Sequence, residues 1–257
     1  YAIITTNHHK KSERVMKKEI AITADVHLTS LNKNPERFHA LENIFEQLIS
    51  LDIEILIIAG DLFDATYKDP GAFESLLVTK KSKITIYIIP GNHDPVLSTG
   101  TFVAGNIKYN DVPQIIEFSN KTKFVFLPYI PHTSIGEILA SSELNVGLEN
   151  WVLVAYGDYL ANTTIRNNYE NGLYMPLSAG NTTLQTKKSI SRPYTCEYGS
   201  DIVHYPGSSC GLDPIETGIR SFLVYDTVST KVDRLANNTV GINLYLFHFL
   251  ENKKTVR

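Results

Sequence analysis

Three apolar β-type runs in the first half of the chain each break off into a short polar cluster. "KEIAITADVHL" ends in Asp25-Val26-His27. "IEILIIAGDLFD" ends in Gly60-Asp61 and then Phe63-Asp64. "KITIYIIPGNHD" ends in Gly91-Asn92-His93-Asp94. Between them lie helix-type segments. In "NPERFHALENIFEQLISL", Phe38, Leu41, Phe45 and Leu48 recur on one face, with Asn34 as the expected N-cap and Pro35 at the first helical position. "GAFESLLVTKKS" is expected as a second helix. A strand apolar on both faces needs cover on both faces, which is the signature of a parallel sheet with helical crossovers. We therefore expect a β-α-β-α-β start with right-handed crossovers and a parallel sheet. Further strands are expected at "QIIEF", "KFVFLPYI", "WVLVAYG", "DIVHYPGSS" and "RSFLVYDT".

In a parallel sheet the carboxyl ends of the strands share one edge, and ligands bind in the crevice there. Any one of the three clusters alone reads as a turn or a helix cap. Three together, each following a β-run, read as one site. Asp, Asn and His supply oxygen and nitrogen donors, a mixture that suits manganese, iron or zinc better than calcium. Asp25, His27, Asp61 and Asn92 are the candidate ligands, and Asp61 is the candidate bridge between two ions. Two ions about 3.5–4 Å apart would clamp the attacking and leaving oxygens of a phosphoester. His93 is placed to stabilise charge or to protonate a leaving group, with Asp94 orienting its imidazole.

The rest of the chain narrows the class. With 257 residues and a formal net charge of -3, it has no global electrostatic pull toward nucleic acid. Two cysteines without a C-x-x-C spacing argue against a zinc ribbon or a disulfide scaffold and fit a reducing cytoplasm. Four Asn-x-Ser/Thr matches, at Asn120, Asn162, Asn181 and Asn237, are read as chance. No apolar run approaches the roughly 18 residues of a membrane span. Residues 1–15 are polar and basic and are expected to be a tail, with Met16 as a natural start. We expect a single domain over 16–236 and a C-terminal segment over 237–257. Its apolar stretch "VGINLYLFHFLENKK" is expected to dock on the sheet or on a partner.

D-x-H, G-D and G-N-H-D in this order resemble the calcineurin-like metallophosphoesterases. "AITADVHL", "LIIAGDLFD", "IPGNHDP", "GDYLAN", "YMPLS" and "HYPGSSCGLDPIETGIRSFLVYDT" are similar to the SbcD/Mre-type DNA exonuclease subunits. The resemblance covers roughly residues 16 to 235. It implies a four-layer α/β/β/α sandwich, two metals that are usually manganese, and phosphodiester hydrolysis. Partners compatible with it are DNA, an SbcC-type ATPase and a second copy of the chain. That family's capping domain is not expected here, since the chain ends soon after "FLVYDT".

The second half departs from the family pattern. The family places a histidine before "GDYL", where this chain has Tyr156. It also places a Gly-His-x-His upstream of "YPGS", and this chain has no His-x-His. One register puts Ser189 and Ser191 at those positions, and another puts Ala179 and Asn181 there. One ion would then keep Asp25, His27 and Asp61, and the other only Asp61 and Asn92. One ion or none is expected without substrate. His204, just before "YPGS", is the nearby histidine able to compensate, although an ordinary strand residue is the simpler reading. His39 and His132 are read as structural or turn residues. Two functions follow: a metal-dependent phosphoesterase of nuclease type with a depleted site, or a non-catalytic relative kept as a binding or regulatory module, with Tyr156 filling the space of a lost metal.

Overall fold

Alternate residues along the central strands face opposite ways and join different apolar clusters, and this splits the molecule into layers. The computed structural model describes residues 19–66, 69–77, 83–94, 97, 100–118, 122–133, 135–141, 144, 151–156, 194–198, 201–212 and 218–237. Its elements are β1 (Glu19–Thr23), α1 (Pro35–Ser50), β2 (Ile55–Ala59), α2 (Pro70–Ser75), β3 (Thr85–Ile89), β4 (Ile107–Tyr109) and β5 (Gln114–Glu117). They continue with β6 (Lys123–Leu127), α3 (Ile135–Ser141), β7 (Trp151–Ala155), β8 (Tyr194–Tyr198), β9 (Asp201–Tyr205), β10 (Arg220–Asp226) and β11 (Val232–Asn237).

Leu56 and Ile58 of β2 pack with Leu41, Phe45 and Leu48 of α1 and Phe73 of α2. Ile55 and Ile57, pointing the other way, pack with Phe124 and Phe126 of β6 and Val154 of β7. Val125 and Leu127, on the far face of β6, cover Ile135 and Ile138 of α3. The period-2 alternation of strands thus builds helix, sheet, sheet and helix in succession. This is the expected α/β/β/α sandwich. All five residues of β2 are buried, as a strand covered on both faces requires.

The six-stranded sheet has the order β11-β10-β1-β2-β3-β4, and the second sheet the order β5-β6-β7. β1 to β4 run parallel, as the crossovers demand. The sheet as a whole is mixed, contrary to the parallel sheet expected. β10 lies antiparallel to β1, and β11 antiparallel to β10. A tight connection makes the last pair a hairpin: Asp226 Oδ1 accepts from the N–H groups of Val228 and Ser229, and Thr230 N–H donates to Asp226 O.

Local expectations shift in three places. Asn34 precedes α1, but its side chain makes no cap bond. Its Oδ1 accepts from Thr29 Oγ1 and its amide donates to Glu36 instead. The expected helix over 71–82 is Pro70–Ser75, capped by Asp69 accepting from Ala72 N–H, and its end turns through Leu76 and Leu77. β4, β8, β11 and α3 were not anticipated; β4 is too short to show a period, and β11 ("VDRLAN") is a polar edge strand. The tail 1–15 and the C-terminal segment beyond Asn237 lie outside the described residues. Among the described residues no helix is long and apolar enough to cross a membrane.

Candidate metal centre

The loops after β1, β2 and β3 are knitted together by main-chain hydrogen bonds. Asp25 N–H donates to Gly60 O at 3.1 Å, His27 N–H to Asp61 O at 2.9 Å and Leu28 N–H to Leu62 O at 2.8 Å. Gly60 N–H donates to Ile89 O at 2.8 Å. The strand pairing therefore persists past the strands themselves and fixes the loops against one another. Within that frame Asp25, His27 and Asp61 have positive φ, 48°, 48° and 47°. A left-handed backbone at a residue other than glycine is uncommon and costs of order 1–3 kcal/mol, and such residues cluster at functional sites.

The twist aims the three side chains at one point. Their ligand atoms all lie within 4.8 Å of one another. His27 Nε2 is 3.5 Å from Asp61 Oδ2. Asp61 is 1% exposed and takes the His93 backbone N–H on Oδ1 at 2.8 Å. The rings of His27 and His93 meet edge to face with centroids 5.0 Å apart, and the His93 side chain is exposed. Gly91 makes this approach possible: a Cβ there would lie 2.2 Å from Asp61 Oδ1.

The donor set fits a divalent transition ion. Burial, the largest influence, holds the His27 imidazole below its ordinary 6.5; Asp61 opposes this, while His93 and Arg37 reinforce it. The imidazole is therefore neutral near pH 7 and free to bind metal. Among the described residues the ring of His27, uncharged near pH 7, is the basic group that faces buried Asp61. A buried carboxylate without a cationic partner is costly, and a metal ion removes that cost.

Asp25, Asp61, Asn92 and His93 lie at one rim of the sheet, as the strand-then-cluster pattern requires. Asn92 meets Asp61 through a third residue: the Tyr156 hydroxyl is hydrogen bonded to Asp61 Oδ2 at 2.8 Å and also to Asn92 Oδ1. Asp94 departs from the role expected of it. Instead of orienting the His93 ring, its carboxylate accepts from the backbone N–H groups of Phe63 (2.8 Å), Gly91 (2.9 Å) and Leu62 (3.3 Å). It clamps the loop after β2 to the loop after β3. Burial pushes its carboxyl up to about 6 against the pull of these hydrogen bonds, and the Asp61 charge adds to the rise. His204 stands outside the cluster of ligand atoms; burial and then the neighbouring Arg234 lower its pKa. The stretches carrying Ala179, Asn181, Ser189 and Ser191 lie outside the described residues.

Sequence reasoning missed Arg37. Its Nη1 donates to the His27 carbonyl and lies 3.6 Å from Asp64 Oδ2, bracing the loop that carries the ligands. The signal was present: Arg37 precedes Leu41 by four residues and so falls on the apolar face of α1.

The family described as calcineurin-like phosphoesterase matches residues 18–227. The chain is 28% identical over 131 residues to "Probable cyclic nucleotide phosphodiesterase CBUA0032" of Coxiella burnetii (strain RSA 493 / Nine Mile phase I). That alignment covers 50% of this chain and 52% of the relative, so the chain spans about half the length of the curated relative it matches. Among solved structures, a novel archaeal phosphodiesterase is similar at 18% identity with a TM-score of 0.45, covering 85% of this chain and 99% of that one. TT1561 of Thermus thermophilus is similar at 12% identity with a TM-score of 0.49, covering 86% of this chain and 100% of that one.

Proposed function

Because this chain belongs to the calcineurin-like phosphoesterase family, we propose that it hydrolyses phosphodiester bonds at the centre built from Asp25, His27 and Asp61, with His93 beside it. The observation that carries this reading is the convergence of two carboxylates and a neutral imidazole on one point of the rim. Asp25, His27 and Asp61 would hold a divalent ion, and manganese suits the donor set. Such an ion, when bound, supplies Lewis-acid polarisation of the phosphoryl oxygen and a water made acidic enough to attack at neutral pH. The His93 imidazole, exposed and anchored through its backbone N–H to Asp61, donates a proton to the departing oxygen or stabilises its charge. Asp94 and Arg37 act through the backbone, holding the ligand-bearing loops in place.

For the substrate we favour a cyclic nucleotide over DNA. The similarity to a probable cyclic nucleotide phosphodiesterase supports the small substrate, and a net charge of -3 gives no general attraction to a polyanion. The likeness of "AITADVHL" and "IPGNHDP" to exonuclease subunits supports the DNA alternative. A non-catalytic binding module is the second reading, favoured by one observation: Tyr156 engages Asp61 and Asn92 directly. The test is turnover in Mn2+ of 3′,5′-cyclic nucleotides, bis-p-nitrophenyl phosphate and single-stranded DNA by the parent chain and by Asp61→Ala. Cyclic nucleotide hydrolysis is expected in the parent. Asp61→Ala should lose more than the roughly 10–100-fold typical of disturbing an outer-shell partner. Absence of Asp61-dependent turnover on all three substrates would refute the enzymatic reading in favour of the binding module.

A further inference from the structure

Tyr156 follows β7 directly and reaches the rim from the second sheet. Its ring lies on Gly60, where a Cβ would come within 1.9 Å of Tyr156 Cδ2, and it meets Tyr129 edge to face at 5.9 Å. The hydroxyl lies between Asp61 Oδ2 and Asn92 Oδ1.

The protons at this contact can be counted. A phenol carries one proton, and the hydroxyl donates to Asp61 Oδ2. Asn92 Oδ1 is the second acceptor of the same hydroxyl, so the phenol links the two side chains through one group. On Asp61, Oδ1 takes the His93 N–H and Oδ2 takes the phenol, while Oδ2 also faces His27. The remaining acceptor capacity of Oδ2 is directed to the side of Asp25 and His27. On the Asn92 side the phenol occupies the space between Asp61 Oδ2 and Asn92 Oδ1.

We infer that Tyr156 takes the place of a second metal ion, making the centre mononuclear and holding the Asp61 carboxylate in position for the single ion bound with Asp25 and His27. Tyr156 is a positioning residue in this scheme, since it acts on the ion through Asp61. The inference rests on the reading of Asp25, His27 and Asp61 as metal ligands.

The experiment is calorimetric titration of the metal-stripped chain with Mn2+, for the parent, Tyr156→Phe and Tyr156→His. The parent should bind one ion. Tyr156→Phe keeps the ring and loses the hydroxyl; it should still bind one ion, with affinity weakened roughly 10–100-fold, the usual effect of losing a partner that orients a ligand. Tyr156→His should bind a second ion, because a nitrogen donor then joins Asp61 and Asn92. Two ions in the parent would overturn the inference while leaving the metal reading intact. So would unchanged affinity in Tyr156→Phe, or a single ion in Tyr156→His. No binding in the parent would remove the metal reading, and the inference with it. Should Tyr156→His fail to fold, the parent and Tyr156→Phe titrations decide the matter.

Discussion

Asp94→Ala removes the clamp between two loops of the centre, and its cost should depend on pH in a defined direction. The substitution strips the acceptor from three backbone N–H groups, those of Leu62, Phe63 and Gly91. Each costs about 1–3 kcal/mol where water does not replace the carboxylate, so a total loss of about 3–9 kcal/mol is expected at pH 5. The carboxyl also titrates abnormally, with burial raising it from 3.8 to about 6. A raised folded pKa means that the fold favours the protonated acid. The stability linked to this group is complete below pH 3.8 and is lost as pH rises through about 6. At about 1.36 kcal/mol per pH unit, the full effect is about 3 kcal/mol, of which roughly half falls between pH 5 and pH 7.5. Asp94→Ala should therefore destabilise by ~1–2 kcal/mol less at pH 7.5 than at pH 5. Denaturant unfolding of parent and variant at both pH values, in chelator, measures this. His27, whose ordinary pKa of 6.5 falls in the same window, is common to both proteins and cancels in the difference. An equal loss at both pH values, or a larger one at pH 7.5, would refute the reasoning: the carboxylate would then be stabilised in the fold rather than burdened by it.

Gly91→Ala should displace Asp61, since the new Cβ would lie 2.2 Å from its Oδ1 and 2.6 Å from its backbone nitrogen. We expect a lowered Tm and loss of measurable Mn2+ binding in calorimetry; parental affinity would disprove the close approach. Because burial holds His27 below 6.5, Mn2+ affinity should fall from pH 7.5 to pH 6 by less than the about fourfold that an unshifted imidazole would lose. The same shift makes the His27 contribution to stability complete above pH 6.5 and lost as pH falls through that value toward the lower folded pKa.

What this sequence determined by itself is local and periodic. Continuous apolar runs such as "ILIIA" require a strand covered on both faces, and helix-period segments between them require parallel crossovers, so β1, β2 and β3 and their shared rim were legible. The identity of the metal-type residues at that rim followed, because each stands next to a strand end. The antiparallel edge formed by β10 and β11 was not legible, since a polar edge strand like "VDRLAN" satisfies only one row of hydrogen bonds and needs no apolar pattern. Nor was the role of Asp94: beside His93 in the chain, it bonds to two backbone N–H groups roughly thirty residues away as well as to that of Gly91, and these converge only once the loops have packed. Tyr156 shows the limit most clearly. The sequence marks it as a departure from a family pattern, but only the packing of one sheet on the other carries its hydroxyl to Asp61 and Asn92, 95 and 64 positions away. Side-chain contacts between layers depend on which face of each strand turns inward and how far the sheets slide. Those quantities are set by the jigsaw of the core as a whole and by no local stretch of chain.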